Sequence, residues 1–167
     1  MEIKIEKVES IDQFKKIKEF VENNELYVGI PQETSSRKQD NEVTNAELLF
    51  IHTYGSPVNN IPPRPVIEPA ISNDKERIAK MMGNALKTAM AGNYQGAVDE
   101  LKKIGMLAQN KCRAWFTDER NGWKPNAPSV YRRKLKKGST DPKPLIDTGE
   151  LRKSITYFVK TRGGRVK

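Results

Sequence analysis

The sequence has 167 residues, of which 36% are hydrophobic and 31% charged, with a net charge of +9 at neutral pH. This is the size of one domain with an extension and a modest core, and no apolar run approaches the roughly 18 to 20 residues of a membrane span. A single cysteine, Cys112, excludes an internal disulfide and gives no cysteine metal cluster.

Residues 1–6, MEIKIE, lack the apolar stretch of a signal peptide, so cytosolic synthesis is expected. Charge is unevenly placed. From Lys111 onward there are 16 Lys and Arg against 5 Asp and Glu, and before it 14 against 16. A basic final third on a nearly neutral body suits a polyanion or an acidic protein surface, or is a solvated loop that aids solubility.

Ile3 and Ile5 alternate loosely and predict a first strand over residues 2–8. Ser10, with Gln13 three residues on, then reads as the cap of a helix whose apolar stripe is Ile11, Phe14, Ile17 and Val21, ending at Asn23 and Asn24. Leu26, Val28 and Ile30 alternate as a strand closed by Pro31. Residues 32–43 are polar and without period, a loop or hairpin tip. Thr44 to Glu47 form a capping box, and the short helix it opens, apolar nearly all round through Leu48, Leu49, Phe50 and Ile51, is expected to be well covered and to stop at Gly55. His52 is the only histidine and has no metal-ligand companion, so it reads as a structural or interface residue.

Residues 56–69 hold five prolines: Pro57, Pro62, Pro63, Pro65 and Pro69. The run Ile61-Pro62-Pro63-Arg64-Pro65 must be extended and stiff, and it holds Arg64 where it can grip a carboxylate in the fold or across a subunit boundary. A ligand for a proline-binding adaptor is the alternative. Ile78, Met81, Met82, Ala85, Leu86 and Ala89 mark a helix over 74–91. A longer one over 94–116 carries Ala97, Leu101, Ile104, Ala108, Cys112 and Trp115 on one side. Gly105 sits on that flank and would let another helix approach, and Cys112 reads as a small core residue. Asn121-Gly122 is a turn.

Arg132, Arg133, Lys134, Lys136 and Lys137 flank Leu135 between proline and glycine breaks, and a loop is expected there. Its composition suits nucleic acid or an acidic partner. Pro142 and Pro144 keep the approach to residues 143–155, KPLIDTGELRKSI, extended, and Asp147 with Glu150 reads as an acidic capping box at Thr148-Gly149. From Ser154 the period becomes two: Ile155, Tyr157 and Val159 face one way, Thr156, Phe158 and Lys160 the other. The tail 161–167 is basic, glycine-rich and expected to be mobile.

Chemistry-bearing motifs are missing. There is no phosphate-binding loop, HExxH, CxxC or GxSxG. Asp147, Glu150 and Lys153 are the nearest approach to a nuclease set, yet they crowd into one turn and not across a rigid sheet.

Four segments in order resemble the phage virion-morphogenesis family, the Mu-type tail-completion or neck proteins. They are NAELLFIHTYG at 45–55, IPPRPVI at 61–67, the helix through Ile104-Gly105 leading to WKPNAPS at 123–129, and PLIDTGELRKSI at 144–155. Val66 stands where that family would have an aromatic residue. The resemblance spans about residues 25–160, leaving 1–24 as a strand–helix extension and 161–167 as a tail. It implies an α+β fold: a small antiparallel sheet with two or three helices on one face, plus extended Pro-rich and basic loops. It implies no catalytic residue, metal or cofactor. Arg64, Pro65, Trp123, Asp147, Thr148, Gly149, Leu151 and Ser154 become motif or interface candidates. The five cations of 132–137 become candidates for the DNA path or for docking a partner. The expected role is a structural one in a tailed phage, prophage or phage-tail-like particle. The subunit would form a homo-oligomeric ring, expected to be a hexamer, at the head–tail junction. Its partners would be the connector, tail terminator and tube proteins, with passing genomic DNA contacted non-specifically and no membrane. It would reside in the host cytoplasm during assembly and in the virion neck or tail afterwards. Two other readings are a free nucleic-acid-binding protein that stacks bases on Trp115, Trp123 and Tyr131, and an assembly chaperone absent from the mature particle.

Overall fold

The computed structural model describes residues 2–34 and 43–166. Most of the loop expected at 32–43 therefore lies outside the described residues; its first residues, Gln32–Thr34, form a single 3-10 turn. The fold is α+β, with the chain divided into two compact units.

The first unit takes residues up to Tyr27, then Asp74–Leu107, then Tyr157 onward. It holds α1 (Glu2–Asn23), most of β1 (Asn24–Gly29), α4 (Lys75–Met90), the first part of α5 (Tyr94–Trp115), most of β2 (Thr156–Thr161) and β3 (Gly164–Val166). The strands form one sheet in the order β1-β2-β3, with β2 and β3 antiparallel and Val159 opposite Val166. Tyr157 and Val159 are buried, as the alternation requires, and Val159 packs with Phe20 of α1, Ala85 and Ala89 of α4, and Ala97, Leu101 and Ile104 of α5. Three helices thus cover one face of the sheet. On its other side Tyr27 and Phe158 stack at 4.9 Å.

Several expectations fail in this unit. Residues 2–8 are helix and not strand: two alternating isoleucines are too short a pattern to tell the periods apart, and the Glu and Lys between them favour helix. Ser10 accordingly lies inside α1 and not at its start. Over residues 11–23 of α1 the buried residue is Phe20, while Ile11, Phe14 and Val21 are exposed, so the inner stripe there runs through Ile17 and Phe20. Asn23 and Asn24 do end the helix, their side-chain amides donating to the carbonyls of Glu19 and Phe20. Within the basic tail, residues 164–166 pair with β2. Gly105 meets the Tyr157 ring and the Leu26 side chain, hence strands and not a helix.

The second unit comprises Val28–Asn73 and Ala108–Thr156. It holds α2 (Asn45–Tyr54), α3 (Ile67–Asn73), the end of α5, α6 (Pro128–Lys136) and α7 (Glu150–Ser154). The capping box of α2 is complete: Thr44 Oγ1 accepts from the Glu47 amide at 3.2 Å, and the Glu47 carboxylate accepts from the Thr44 amide at 2.8 Å. Gly55, at φ 76°, closes the helix. Leu49, Val66, Ala70, Cys112, Trp115, Phe116, Leu151 and Ile155 make the core. Helix α3 has no sequence signal beyond its apolar ends, because Pro69 hides it. A proline in a first turn costs little, since those amides have no intrahelical partner.

Helix α2 is not covered all round. Phe50 and Tyr54 are 65% and 70% exposed, their rings 4.8 Å apart.

Candidate functional site

Residues 132–137 are not a loop. Pro128 occupies the first turn of α6, where its missing amide hydrogen is no loss, and Gly138, at φ 90°, follows the end. The proline and glycine read as breaks are the boundaries of a helix whose last turn, rich in cations, opposes the negative end of its dipole. Arg132, Arg133, Lys136 and Lys137 are exposed. Lys134 is only 6% exposed, and its Nζ donates to the carbonyls of Lys143 at 2.7 Å and Ile146 at 2.5 Å. It pins the approach to α7 and does not belong to the exposed cations of this helix. Burial, together with the nearby Arg133, Arg64 and Lys137, lowers its pKa despite attraction from Asp147.

Among the described residues Arg64 grips no carboxylate. It is 7% exposed, and its Nη2 donates to the carbonyls of Lys124 at 3.0 Å and Pro125 at 3.3 Å, with Nε reaching Lys124 at 3.4 Å. The Pro-rich strand aims the guanidinium, and the WKPNAP segment supplies the acceptors. Next to it, Trp123 Nε1 donates to the Pro65 carbonyl at 3.2 Å, and the indole meets Phe116 edge-on at 5.8 Å. Leu151 is in the core, and Ser154 Oγ accepts from the side chain of the buried Asn45 at 2.9 Å. Apart from Ile104-Gly105, which belongs to the first unit, the segments that carry the family resemblance thus meet in this unit, tied mostly by side chain–carbonyl bonds.

Asp147 does not cap α7. The residue preceding that helix is Gly149, at φ 78°, while Thr148 Oγ1 accepts from the Glu150 amide at 3.3 Å and Asp147 pairs with the exposed Lys137 at 3.4 Å. Gly149 is in the left-handed region that favours glycine. A Cβ there would have room, with only Lys153 Cε at 3.9 Å, so any penalty is conformational. Gly149→Val is expected to lower stability by about 1–3 kcal/mol, and Gly149→Asn by less, because asparagine tolerates this region. Denaturant melts of the pair check the ranking. Leu145 also sits at positive φ, 58°, with its side chain packed against the core.

Arg64, Lys134, Leu145 and the turn 147–150 line a cleft of about 1070 Å³ bounded by α2, the Pro-rich segment, α6 and the start of α7. His52 is at its wall, half-buried, with Nδ1 shielded and lacking a hydrogen-bond partner. Burial and the Arg64 charge both push its pKa below the usual histidine value.

Sequence reasoning missed two anchors. Arg113, on the flank of α5, donates to the carbonyls of Ile155 at 3.0 Å and Lys153 at 2.8 Å. Asn45, hidden inside the capping box, is buried. Neither has a local signal, because each role depends on a segment far along the chain. Val130 and Lys134, four residues apart, were the available signal for the inner face of α6.

Among the described residues no three His, Cys, Asp or Glu side chains gather as a metal site, and no helix is long and apolar enough to cross a membrane. Cys112 is fully buried, and burial pushes its thiol up to about 11. A thiol reagent at neutral pH is expected to leave the native protein unlabelled and to modify Cys112 only with unfolding, by mass spectrometry. No family model matches the sequence, and neither a curated protein nor a solved structure does so.

Proposed function

We propose that this chain is a structural, non-catalytic subunit of a tailed phage, prophage or phage-tail-like particle, forming a ring at the head–tail junction around the DNA path. The observation that carries this reading is the convergence of the family-like segments in the second unit. Asn45 bonds Ser154, Arg64 bonds Lys124 and Pro125, and Trp123 bonds Pro65. Words that only co-occur in a sequence need not touch; these hold one another in place.

Exposed apolar groups add support. Phe14 on α1 is 68% exposed, and Phe50, Tyr54 and Val58 of the second unit stand in water with it. Large rings left outside suit a subunit that buries them against neighbours. Mass spectrometry and image reconstruction of purified particles test the proposal. The chain is expected in the particle as a ring at the neck. A stable monomer by light scattering, missing from the particle, would reject it.

Four cations of α6 and its end are exposed: Arg132, Lys136 and Lys137, and Arg133, which also borders the cleft. Weak, sequence-independent DNA binding that falls steeply with added salt is expected, because counterions are released from each phosphate contacted. Changing these four to Gln should abolish it. Assembly should survive that change if these cations line the DNA path, and fail if they dock on the connector. Tight, salt-resistant binding to one sequence would favour a free DNA-binding regulator instead.

A further inference from the structure

The cleft of the second unit holds more positive charge than its own structure neutralises. Arg64 and Lys134 are each more than nine-tenths buried, yet among the described residues neither lies within ion-pair distance of a carboxylate. Carbonyl dipoles solvate part of each cation. Nη1 of Arg64 and one N–H of Lys134 remain without a hydrogen bond among the described residues. Arg133 and Lys124 line the same cleft, and the charges repel: Arg64 lowers the pKa of both Lys134 and His52. Asp147 offsets part of the charge on Lys134, but buried like charges that are incompletely neutralised are costly, and an anion entering the cleft would relieve that cost.

We propose that the cleft is a docking site for an extended segment of a partner protein, seated by an Asp or Glu carboxylate on Arg64, Arg133 and Lys134. Two features favour a peptide over a nucleic acid. Asp147 and Glu150 also line the cleft and would repel a continuous row of phosphates, whereas one carboxylate can sit among the cations and avoid them. Much of the remaining wall is apolar, with Leu48, Ile61, Val130 and Leu145 beside the prolines, which suits side chains flanking that carboxylate. Prolines also keep the wall stiff, so little order is lost on binding. The volume exceeds what one amino acid fills and suits several residues of extended chain. This inference stands on the cleft and holds whether or not the chain is a virion subunit.

Fluorescence anisotropy of the full chain with short labelled peptides tests it. Each peptide carries one Asp or Glu flanked by leucine and proline, and each has an Asn or Gln counterpart. The acidic forms are expected to bind about tenfold tighter or better than their amides, the margin of a charge-assisted contact. The NMR signals of His52, the sole histidine, should move on binding. Arg133→Gln, at an exposed position, should weaken binding several-fold and leave the melting curve unchanged. Equal binding of acid and amide forms would overturn the proposal, and so would no peptide binding. An oligothymidine that displaces the peptide and shifts His52 itself would assign the cleft to phosphate instead.

Discussion

Arg64→Ala is expected to lower stability by about 3 kcal/mol, and Arg64→Met by about 2 kcal/mol. The guanidinium joins the Pro-rich strand to residues 124 and 125 through two carbonyls. Lys124 and Pro125 are themselves exposed, so water can take over those oxygens. The loss is then that of the charge-assisted bonds, without the larger penalty of orphaned buried acceptors. Methionine refills much of the volume and removes a buried cation that repels Lys134, which offsets part of the loss. Alanine adds a cavity. Lysine should rescue little, because an ammonium cannot reproduce a planar fork bonded to two acceptors. Thermal or urea melts of the three variants give the order.

A second readout separates the charge from the packing. Arg64 and burial hold the His52 pKa below its ordinary value. Protonation therefore favours the unfolded chain: stability is complete above the ordinary histidine pKa and declines as pH falls from there toward the folded value. Either variant that removes the Arg64 charge should raise the His52 pKa by NMR titration and shrink that decline. An unchanged His52 titration in Arg64→Met would mean that burial alone sets it.

Helices α4 and α5 were legible because an apolar stripe repeats over 16 and 22 residues, long enough to exclude the strand period. The α2 cap, the Gly55 stop and the alternation of β2 were legible because their chemistry is local. What failed was non-local or masked. The acceptors of Arg64 are backbone carbonyls 60 residues downstream, and no residue type announces a carbonyl. Five cations hid the period of α6, so Lys134 was assigned to solvent with its neighbours. In α2 an apolar surface all round gave no indication of which side the core would take, and Phe50 and Tyr54 were left outside. The candidate cleft was legible only as separate motifs. Its cationic character required knowing which arginine and which lysine turn inward.

Gly105→Ala and Gly83→Ala are the same substitution inside two helices, and they are expected to differ in sign. Removing a glycine from a helix interior gains about 0.5–1 kcal/mol by restricting the unfolded chain. At Gly83, within α4, a Cβ would meet no atom within 4 Å, so the gain should appear in full. At Gly105 the Cβ would run into the Tyr157 ring and come within 2.9 Å of Leu26 Cδ1. Leu26 can give way, being the tip of a flexible side chain. The Tyr157 ring is buried on the covered face of β2 and cannot move without shifting the strand against α5. Overpacking of this kind costs about 1–3 kcal/mol, more than the helix gains, so Gly105→Ala should be net destabilising by about 1–2 kcal/mol. Gly105→Val adds two methyl groups at the same contact, loses part of the helix preference, and should cost about 3 kcal/mol. Urea unfolding of the three single variants decides the matter. Tyr157→Leu should recover part of the Gly105→Ala loss as a non-additive term, because it trims the ring that the new methyl strikes. Strict additivity of that pair, or a stabilised Gly105→Ala, would mean that the strand is free to retreat from α5.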